Sequence, residues 1–248
     1  MNGIEPTIKQ QIITSFMNNV KGEEICLKEG HNKKHCGKEG HWLEDKMGIK
    51  HNAKNEPDNE GYEQKSGDNV TTYIDKAPNM KYLNGIIVKP RDTNQKKEFW
   101  LKYASKKMSD EATIGGWHIH KYNEIGQKMI IDDHNNIQIV YDYDNDSREN
   151  KDSLGLDKTP HIIMQWNAAS LKTSIERKFN QNGWYKCVKE GNVFTKICFG
   201  NPITFDVWIE QVKKGVIYHD GYSKLKGRGR NPFRAANKFW DSLISEEY

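Results

Sequence analysis

A mixed α/β fold is what this sequence predicts, on three observations. Short apolar runs of strand length recur along it, apolar stripes at helical spacing stand between some of them, and no internal repeat or Pro- or Ser-rich linker divides the chain. Taking the elements in order, Ile8, Ile12, Ile13, Phe16, Met17 and Val20 follow Pro6-Thr7 at helical spacing and predict an amphipathic helix. Residues 21 to 41, mostly Lys, Glu, Gly and His, predict a loop, with a short helix around Trp42 to Met47 behind it. The loop HNAKNEPDNEG then leads into a short strand, Tyr62 to Lys65. Gly85 to Val88, Ile137 to Tyr141, Ile162 to Trp166, Val193 to Phe199, Phe205 to Ile209 and Val216 to Tyr218 also have strand length. Leu171, Ile175 and Phe179 keep a helical period, and Phe233, Ala236, Trp240, Leu243 and Ile244 form one helical stripe after Pro232, a residue favoured in a first helical turn.

A chain of 248 residues is long enough for a sizeable core, as one large domain or as two lobes sharing one chain trace. Its mean hydropathy of −0.92 is polar for a folded protein, yet 7 Trp, 11 Tyr and 8 Phe are too many for a disordered one. No stretch approaches the roughly 18 apolar residues of a membrane helix, and MNGIEPTIKQ lacks the basic and apolar regions of a leader, so membrane and secreted classes are not expected. Cys26, Cys36, Cys187 and Cys198 contain no C-x-x-C pair and are expected as free thiols in a reducing cytoplasm.

The net charge of +4 conceals an uneven distribution. From Gln211 to Trp240 eight basic residues face one acid, Asp220, whereas from Asp132 to Asp157 eight acids face two bases. A basic run of this kind is either a solvated face or the electrostatic footprint of a phosphate-backbone partner, and the chemistry elsewhere in the chain decides between them.

Three constellations carry possible chemistry. Cys26, His31, His35, Cys36 and His41 are close in sequence, and Cys36 to His41 has the inner spacing of a zinc knuckle, but Lys33 and Lys46 stand where its outer ligands belong. A plain loop is the simpler reading. Asp142, Asp144 and Asp146 start like a calcium loop, but Ser147 and Ser153 occupy its glycine and bidentate-glutamate positions, so a solvated hairpin or loop is expected. His118 and His120 have no carboxylate or third histidine at a telling spacing, and no HNH pattern surrounds Asp132 to Asn135.

The third constellation is Pro57-Asp58, then Glu63-Gln64-Lys65. On a strand, alternation sends Glu63 and Lys65 to one face and Gln64 to the other, so an acid and an amine enter one space. Asp58, delivered by the preceding turn, can join Glu63 in holding Mg²⁺, a hard ion that keeps waters able to attack phosphorus. Lys65 beside them can orient or deprotonate the attacking water. The alternative for D-x4-E-x-K alone is an exposed hairpin with an ion pair.

Upstream context adds Glu44 on the short helix Trp42 to Met47, then Asn52 before Pro57-Asp58. An acid on a helix, a turn, then PD and ExK resembles the active-site region of the PD-(D/E)xK nucleases, and within them the MutH-like branch that includes the MvaI/BcnI group of type II restriction enzymes. Downstream, Asp220-Gly221-Tyr222, a basic glycine-containing run and Pro232-Phe233-Arg234-Ala235 resemble the DNA-contacting element of that branch. Gln64 departs from the pattern, since the residue between Glu and Lys is usually apolar in this family.

The resemblance implies a single nuclease domain over 1–248 with a mixed central sheet flanked by helices. It would be bilobal around a DNA cleft, with a catalytic region near 1–110, a recognition region near 200–248, and 111–199 unassigned. It implies a sequence-specific endonuclease acting on double-stranded DNA and leaving 5′-phosphate and 3′-hydroxyl ends. Asp58 and Glu63 would hold Mg²⁺, with Mn²⁺ able to substitute, Lys65 would serve the water, and Glu44 would be an auxiliary acid. Tyr222, Lys224, Lys226, Arg228, Arg230 and Arg234 would contact DNA, Arg234 as a base reader at the start of the last helix. A monomer is implied, and a cognate DNA methyltransferase as genetic partner. Two rivals stand beside this reading: a strand-specific nickase of the mismatch-repair kind, and a non-catalytic nucleic-acid binder using the knuckle-like run.

Overall fold

The computed structural model describes residues 5–26, 38–49, 56–65, 70–89, 91–226 and 229–248. Helices α1 (Ile8–Asn19) and α2 (Lys38–Lys46) precede β1 (Tyr62–Lys65), β2 (Val70–Asp75), β3 (Met80–Leu83) and β4 (Ile86–Ile87). Helix α3 (Thr93–Tyr103) leads to β5 (Lys106–Lys107), β6 (Glu111–Thr113), β7 (Ile125–Ile131), β8 (Ile137–Asp146), β9 (His161–Trp166) and α4 (Ala168–Phe179). The chain continues through β10 (Gly183–Glu190), β11 (Val193–Gly200), α5 (Phe205–Lys213), β12 (Tyr218–His219), β13 (Tyr222–Lys224), β14 (Pro232–Ala236), α6 (Asn237–Asp241) and β15 (Ile244–Glu247).

These elements divide into two compact units that interleave along the chain. The first comprises Met1–Thr71, Ile175–Thr204 and Ala236–Tyr248, and the second Thr72–Ser174 and Phe205–Ala235. Both 1–110 and 200–248 therefore contribute to each unit, and most of 111–199 builds the second.

The first unit is organised by a four-stranded sheet in the order β1-β10-β11-β15. It is mixed: β1 runs parallel to β10, while β10, β11 and β15 are antiparallel. Helix α1 forms as its sequence requires, with Thr7 and Gln10 making a reciprocal capping box. Its Ile12, Phe16 and Val20 join Trp42, Leu43 and Met47 of the α2 region on Tyr185, Cys187, Ile197 and Phe199 of the sheet. Trp42 stacks on Phe194 with centroids 5.6 Å apart. Each such buried side chain contributes about 1.5–3 kcal/mol, enough to fix both helices against the strands.

The second unit holds a five-stranded sheet, β4-β3-β9-β8-β7, and two three-stranded ones, β12-β14-β2 and β13-β6-β5. Strand β8 shows the alternation expected of a half-buried strand, with Ile137, Ile139 and Tyr141 fully buried. It runs on to Asp146, beyond the predicted Tyr141, so the acidic segment is strand before it is loop. Asp146 is buried rather than solvated: Tyr141 donates to it at 2.9 Å and Arg148 at 2.6 Å. Burial raises its carboxyl pKa, but the Arg148 hydrogen bonds outweigh this and hold it below the ordinary value. A carboxylate so satisfied is not waiting for calcium.

Two sequence expectations are corrected here. Phe205 to Ile209 is the start of helix α5, whose buried face is Phe205, Trp208, Ile209 and Val212; a short apolar run looks alike in both states, and Val212 extends the i, i+3, i+4 spacing of the first three into a helical stripe. The last segment is not one helix from Pro232. Pro232–Ala236 is strand β14, pairing with β12 through Tyr218↔Arg234 and His219↔Phe233, and α6 begins at Asn237. Phe233 and Ala235 point inward and Arg234 outward, a period of two that the helical stripe had masked. Phe233 packs on Trp166, Trp208 and His219 in the second unit, and Trp240 on Phe179 and Trp184 in the first.

His219 is fully buried, stacked on Trp117 at 4.8 Å and flanked by Trp166 and Phe233, and neither ring nitrogen finds a partner among the described residues. Burial, helped by the positive Lys81 and Arg234, pushes its pKa down from 6.5 to about 3. The unfolded chain thus takes up this proton first, so the stability tied to neutral His219 is complete above pH 6.5 and is lost as pH falls toward 3. We expect the stability difference between His219→Phe and the parent to be flat above pH 6.5 and to move in favour of the variant by about 3 kcal/mol at pH 4.5. Urea unfolding at stepped pH measures this, and a pH-independent difference would show that His219 is not held neutral.

Candidate active site

The site begins with a turn. Asn59 and Tyr62 exchange two main-chain hydrogen bonds of 2.9 and 2.8 Å, closing a turn over Glu60 and Gly61. Gly61 has φ +93, and a Cβ there would meet the Asn182 amide at 2.6 Å. Only glycine fits where the turn approaches the α4–β10 connection, and Asn182 uses the approach to donate to the carbonyls of Glu60 and Gly61. The turn sets Asp58 beside the outer edge of β1, where its Oδ2 accepts the Gln64 N–H at 3.0 Å. An edge strand leaves such N–H groups unpaired, so the carboxylate satisfies the edge and is fixed by it.

Parallel pairing of β1 with β10 places Glu63 opposite Trp184, Gln64 opposite Tyr185 and Lys65 opposite Lys186. Gln64 faces the core side, where its Oε1 accepts from the Tyr185 hydroxyl at 2.9 Å. That bond explains a polar residue at a position that is otherwise apolar in the family pattern: the buried phenol needs an acceptor. On the opposite face, Glu63 and Lys65 are both buried and pair at 2.7 Å.

Four further side chains complete this face. Lys178, on the last turn of α4, reaches the same Glu63 oxygen, Oε1, at 2.9 Å. The Lys65 ammonium lies over the rings of Phe179 at 4.9 Å and Trp240 at 5.7 Å. Lys186 is buried and paired with Asp241. Sequence reasoning missed Lys178 altogether, since a lysine on a helix carries no signal of its own; Phe179 and Trp240 were visible only as core stripe positions.

The electrostatics follow from burial. Asp58 is pushed up to about 6 by desolvation and by the Glu63 charge, against the pull of Lys65 and Lys178. Burial lowers the Lys65 pKa, while Glu63 pulls the other way. Glu63 Oε1 is shared by two ammonium groups, but its Oε2 is buried and has no hydrogen-bond partner among the described residues. An orphaned carboxylate oxygen beside a second, destabilised carboxylate suits a divalent cation. No group of three His, Cys, Asp or Glu side chains gathers among the described residues, and two carboxylates fit an ion that keeps most of its water rather than one caged by protein.

The remaining candidates are placed as follows. Glu44 is half-buried on α2. Tyr222 and Lys224 lie on β13, and Tyr222 and Arg230 exchange main-chain hydrogen bonds of 2.9 Å that close the basic run into a loop. Gly221 is required before it, because a Cβ would meet the Arg230 carbonyl and the His219 ring at 2.7 Å. Lys224 pairs with Glu111 at 2.6 Å, Arg230 with Asp75 at 2.6 Å, and Arg234 lies 3.5 Å from Asp220 without hydrogen-bond geometry. Lys226 is exposed. Arg228 lies outside the described residues, as do His31, His35 and Cys36 of the knuckle-like run; Cys26 is an exposed free thiol and His41 is on α2. His118 stacks on Tyr218 at 5.0 Å.

Residues 20–248 match the family model described as LlaMI restriction endonuclease. The type II restriction enzyme ScrFI of Lactococcus lactis subsp. cremoris is 33% identical over 271 residues, covering 96% of this chain and 97% of the relative. Among solved structures, the complex of restriction endonuclease MvaI with its cognate DNA superposes with a TM-score of 0.63 at 15% identity, covering 99% of both chains. MvaI without DNA gives 0.50 at 14% identity, covering 100% of this chain and 99% of that one. At these identities the MvaI likeness is one of fold alone. A family model spanning most of the sequence, together with a relative one-third identical across 96% of it, shows that the chain belongs to the LlaMI restriction endonuclease family and is a type II restriction endonuclease, cutting DNA at specific sequences.

Proposed function

We propose that the cleavage centre is the buried face of β1, with Asp58 and Glu63 holding Mg²⁺ and Lys65 serving the attacking water. The observation that carries this reading is Glu63 Oε2, which has no hydrogen-bond partner among the described residues while two lysines occupy Oε1. When bound, the cation supplies charge to the phosphate and acidifies water. Lys65 orients the water and accepts or shares its proton; Lys178 holds Glu63 in place; Glu44 is an auxiliary acid. Water adds to phosphorus, the bond from phosphorus to the 3′ oxygen breaks, and the water's proton ends on that oxygen. The products are 5′-phosphate and 3′-hydroxyl ends. Mn²⁺, another oxygen-seeking ion, substitutes for Mg²⁺. The enzyme acts on double-stranded DNA as a monomer in the cytoplasm, and a cognate DNA methyltransferase is its genetic partner.

Within the second unit, Tyr222, Lys224, Lys226 and Arg230 meet the DNA backbone through the closed basic loop. Arg234, projecting from β14 with Phe233 and Ala235 anchored in the core on either side, reads a base. A guanidinium offers the planar fork that pairs with guanine O6 and N7.

Asp58→Ala, Glu63→Gln and Lys65→Ala are each expected to abolish plasmid cleavage while binding of the cognate duplex persists. For Lys65 the loss is about 10²–10⁴-fold. Gln is preferred at 63 because it keeps a side-chain oxygen that can accept from the Lys65 ammonium, whereas Ala would leave that buried ammonium with neither counter-charge nor acceptor, at a cost of about 3–5 kcal/mol. Full activity in any one of the three rejects the site. Glu44→Ala should have the smaller effect.

After chelation, Mg²⁺ or Mn²⁺ should restore cleavage, and metal analysis of the purified chain should find no stoichiometric zinc. One zinc per chain, lost in Cys36→Ser, would return the knuckle-like run to consideration.

Arg234→Ala should lower the preference for cognate over scrambled duplex by about 1–3 kcal/mol, and lower nonspecific affinity much less. Losing one lysine of the basic run should instead weaken binding to all sequences alike. Competition binding separates the two, and an equal loss on both duplexes would remove Arg234 as a base reader.

A further inference from the structure

A cavity of about 360 Å³ in the second unit carries lysines from three elements: Lys81 of β3, Lys96 of α3 and Lys224 of β13. Among the described residues, its lining includes no Asp or Glu. The three ammonium groups are handled differently. Lys224 turns to Glu111 at 2.6 Å. Lys96 donates to the Lys224 and Leu225 carbonyls at 3.1 and 3.2 Å, which hold the loop but do not cancel its charge. Lys81 stands over the Phe99 ring at 5.7 Å, and no ion pair is formed by it among the described residues. Burial and the neighbouring Lys96 push the Lys81 pKa down to about 8. The rest of the wall is uncharged, and includes the aromatic Phe99, Trp100 and Tyr222 and the polar Asn79, Ser223 and Asn231.

Two partly desolvated cations sharing a cavity without a carboxylate are costly in the free protein, and the cost is recovered only when an anion enters. A cavity of this volume admits a phosphate group, whose oxygens take several ammonium donors at once. We infer that Lys81 and Lys96 form a phosphate-binding pocket, distinct from the cleavage centre and walled by the loop that carries Tyr222 and Lys224. The phosphate comes either from the backbone of bound DNA or from the free anion. Only the DNA source rests on the reading of this unit as DNA-contacting.

The test uses the full chain without divalent metal. Melting temperature is measured with inorganic phosphate replacing chloride at constant ionic strength, and binding of cognate and scrambled duplexes is measured across a salt series, for the parent and Lys81→Met. In the parent, phosphate should raise the melting temperature with saturation, and Lys81→Met should abolish that rise. In the DNA arm, Lys81→Met should weaken both duplexes equally and reduce the salt slope by about one unit. With Mg²⁺ restored and DNA saturating, its single-turnover cleavage rate should match the parent, which separates this pocket from any failure of the Asp58, Glu63 and Lys65 assignment. Response in the phosphate arm alone identifies the free anion, and response in the DNA arm alone identifies a backbone phosphate; either supports the pocket. Indifference in both overturns it. Should Lys81→Met fail to fold, Lys96→Met and the parent's own phosphate response decide: no saturable rise in the parent, with unchanged affinity for both duplexes in Lys96→Met, overturns it equally.

Discussion

The buried pairing of Glu63 with Lys65 is the constraint around which the first unit is arranged. Neither charge could be buried alone, because an isolated ionised group in a protein interior is too costly to persist. Residues two apart share a face only in an extended strand, so the pair requires β1 to be a strand. A strand of four residues is too short to be stable by itself, so β1 must lie against β10, in the register that sets Glu63 by Trp184 and Lys65 by Lys186. That register turns Gln64 toward the core, where the Tyr185 hydroxyl meets it. Close approach of the preceding turn to Asn182 then demands glycine at 61. One ion pair thus fixes a strand, its partner, a side-chain hydrogen bond on the far face and a backbone conformation.

The same pair explains why Lys178 matters although no sequence pattern marks it. Glu63 with Lys65 alone would leave the burial of Asp58 opposed by a single positive charge. A second ammonium on Glu63 Oε1 offsets more of the local negative charge while leaving Oε2 without a hydrogen-bond partner among the described residues. The aromatic rings under Lys65 do related work, since their faces attract a cation without offering a proton acceptor that would compete with water or phosphate.

What could be read from the sequence was set by the range of the interaction. Strand Tyr62–Lys65, the helix Ile8–Asn19 and the helix bearing Leu171, Ile175 and Phe179 are specified by neighbours a few residues away, and their spacing alone reveals them. Asp58, Glu63 and Lys65 belong to the same class, because a turn and a strand of four residues bring them together. Lys178, Phe179 and Trp240 reach that face only through tertiary packing, and nothing local distinguishes them from ordinary helix residues. The strand at Pro232–Ala236 was hidden for a different reason: Phe233, Ala236 and Trp240 satisfy a helical spacing by coincidence across the junction of β14 with α6, and only the pairing of Phe233 with His219 resolves it. Asp146 likewise looked like solvated acid until Arg148, two residues on, was seen folded back onto it.

On the reading proposed above, the basic residues of the second unit are the DNA-directed groups, and their carboxylate partners hold them in aim before DNA arrives. Lys224, Arg230 and Arg234 each lie against a carboxylate, Glu111, Asp75 and Asp220 respectively. These pairs are substantially exposed, and such pairs contribute only about 0–1 kcal/mol. A long basic side chain loses rotamer freedom when it is fixed, at a cost comparable to that small gain. An exposed carboxylate therefore restrains the side chain without binding it so firmly that a phosphate or a base edge could not displace it. Were the same pairs buried, breaking them would cost several kcal/mol and the groups would serve stability instead. Exposure is what separates them from Glu63 and Lys65: the same ion-pair chemistry holds its partners fixed in the interior of one unit and leaves them exchangeable on the surface of the other.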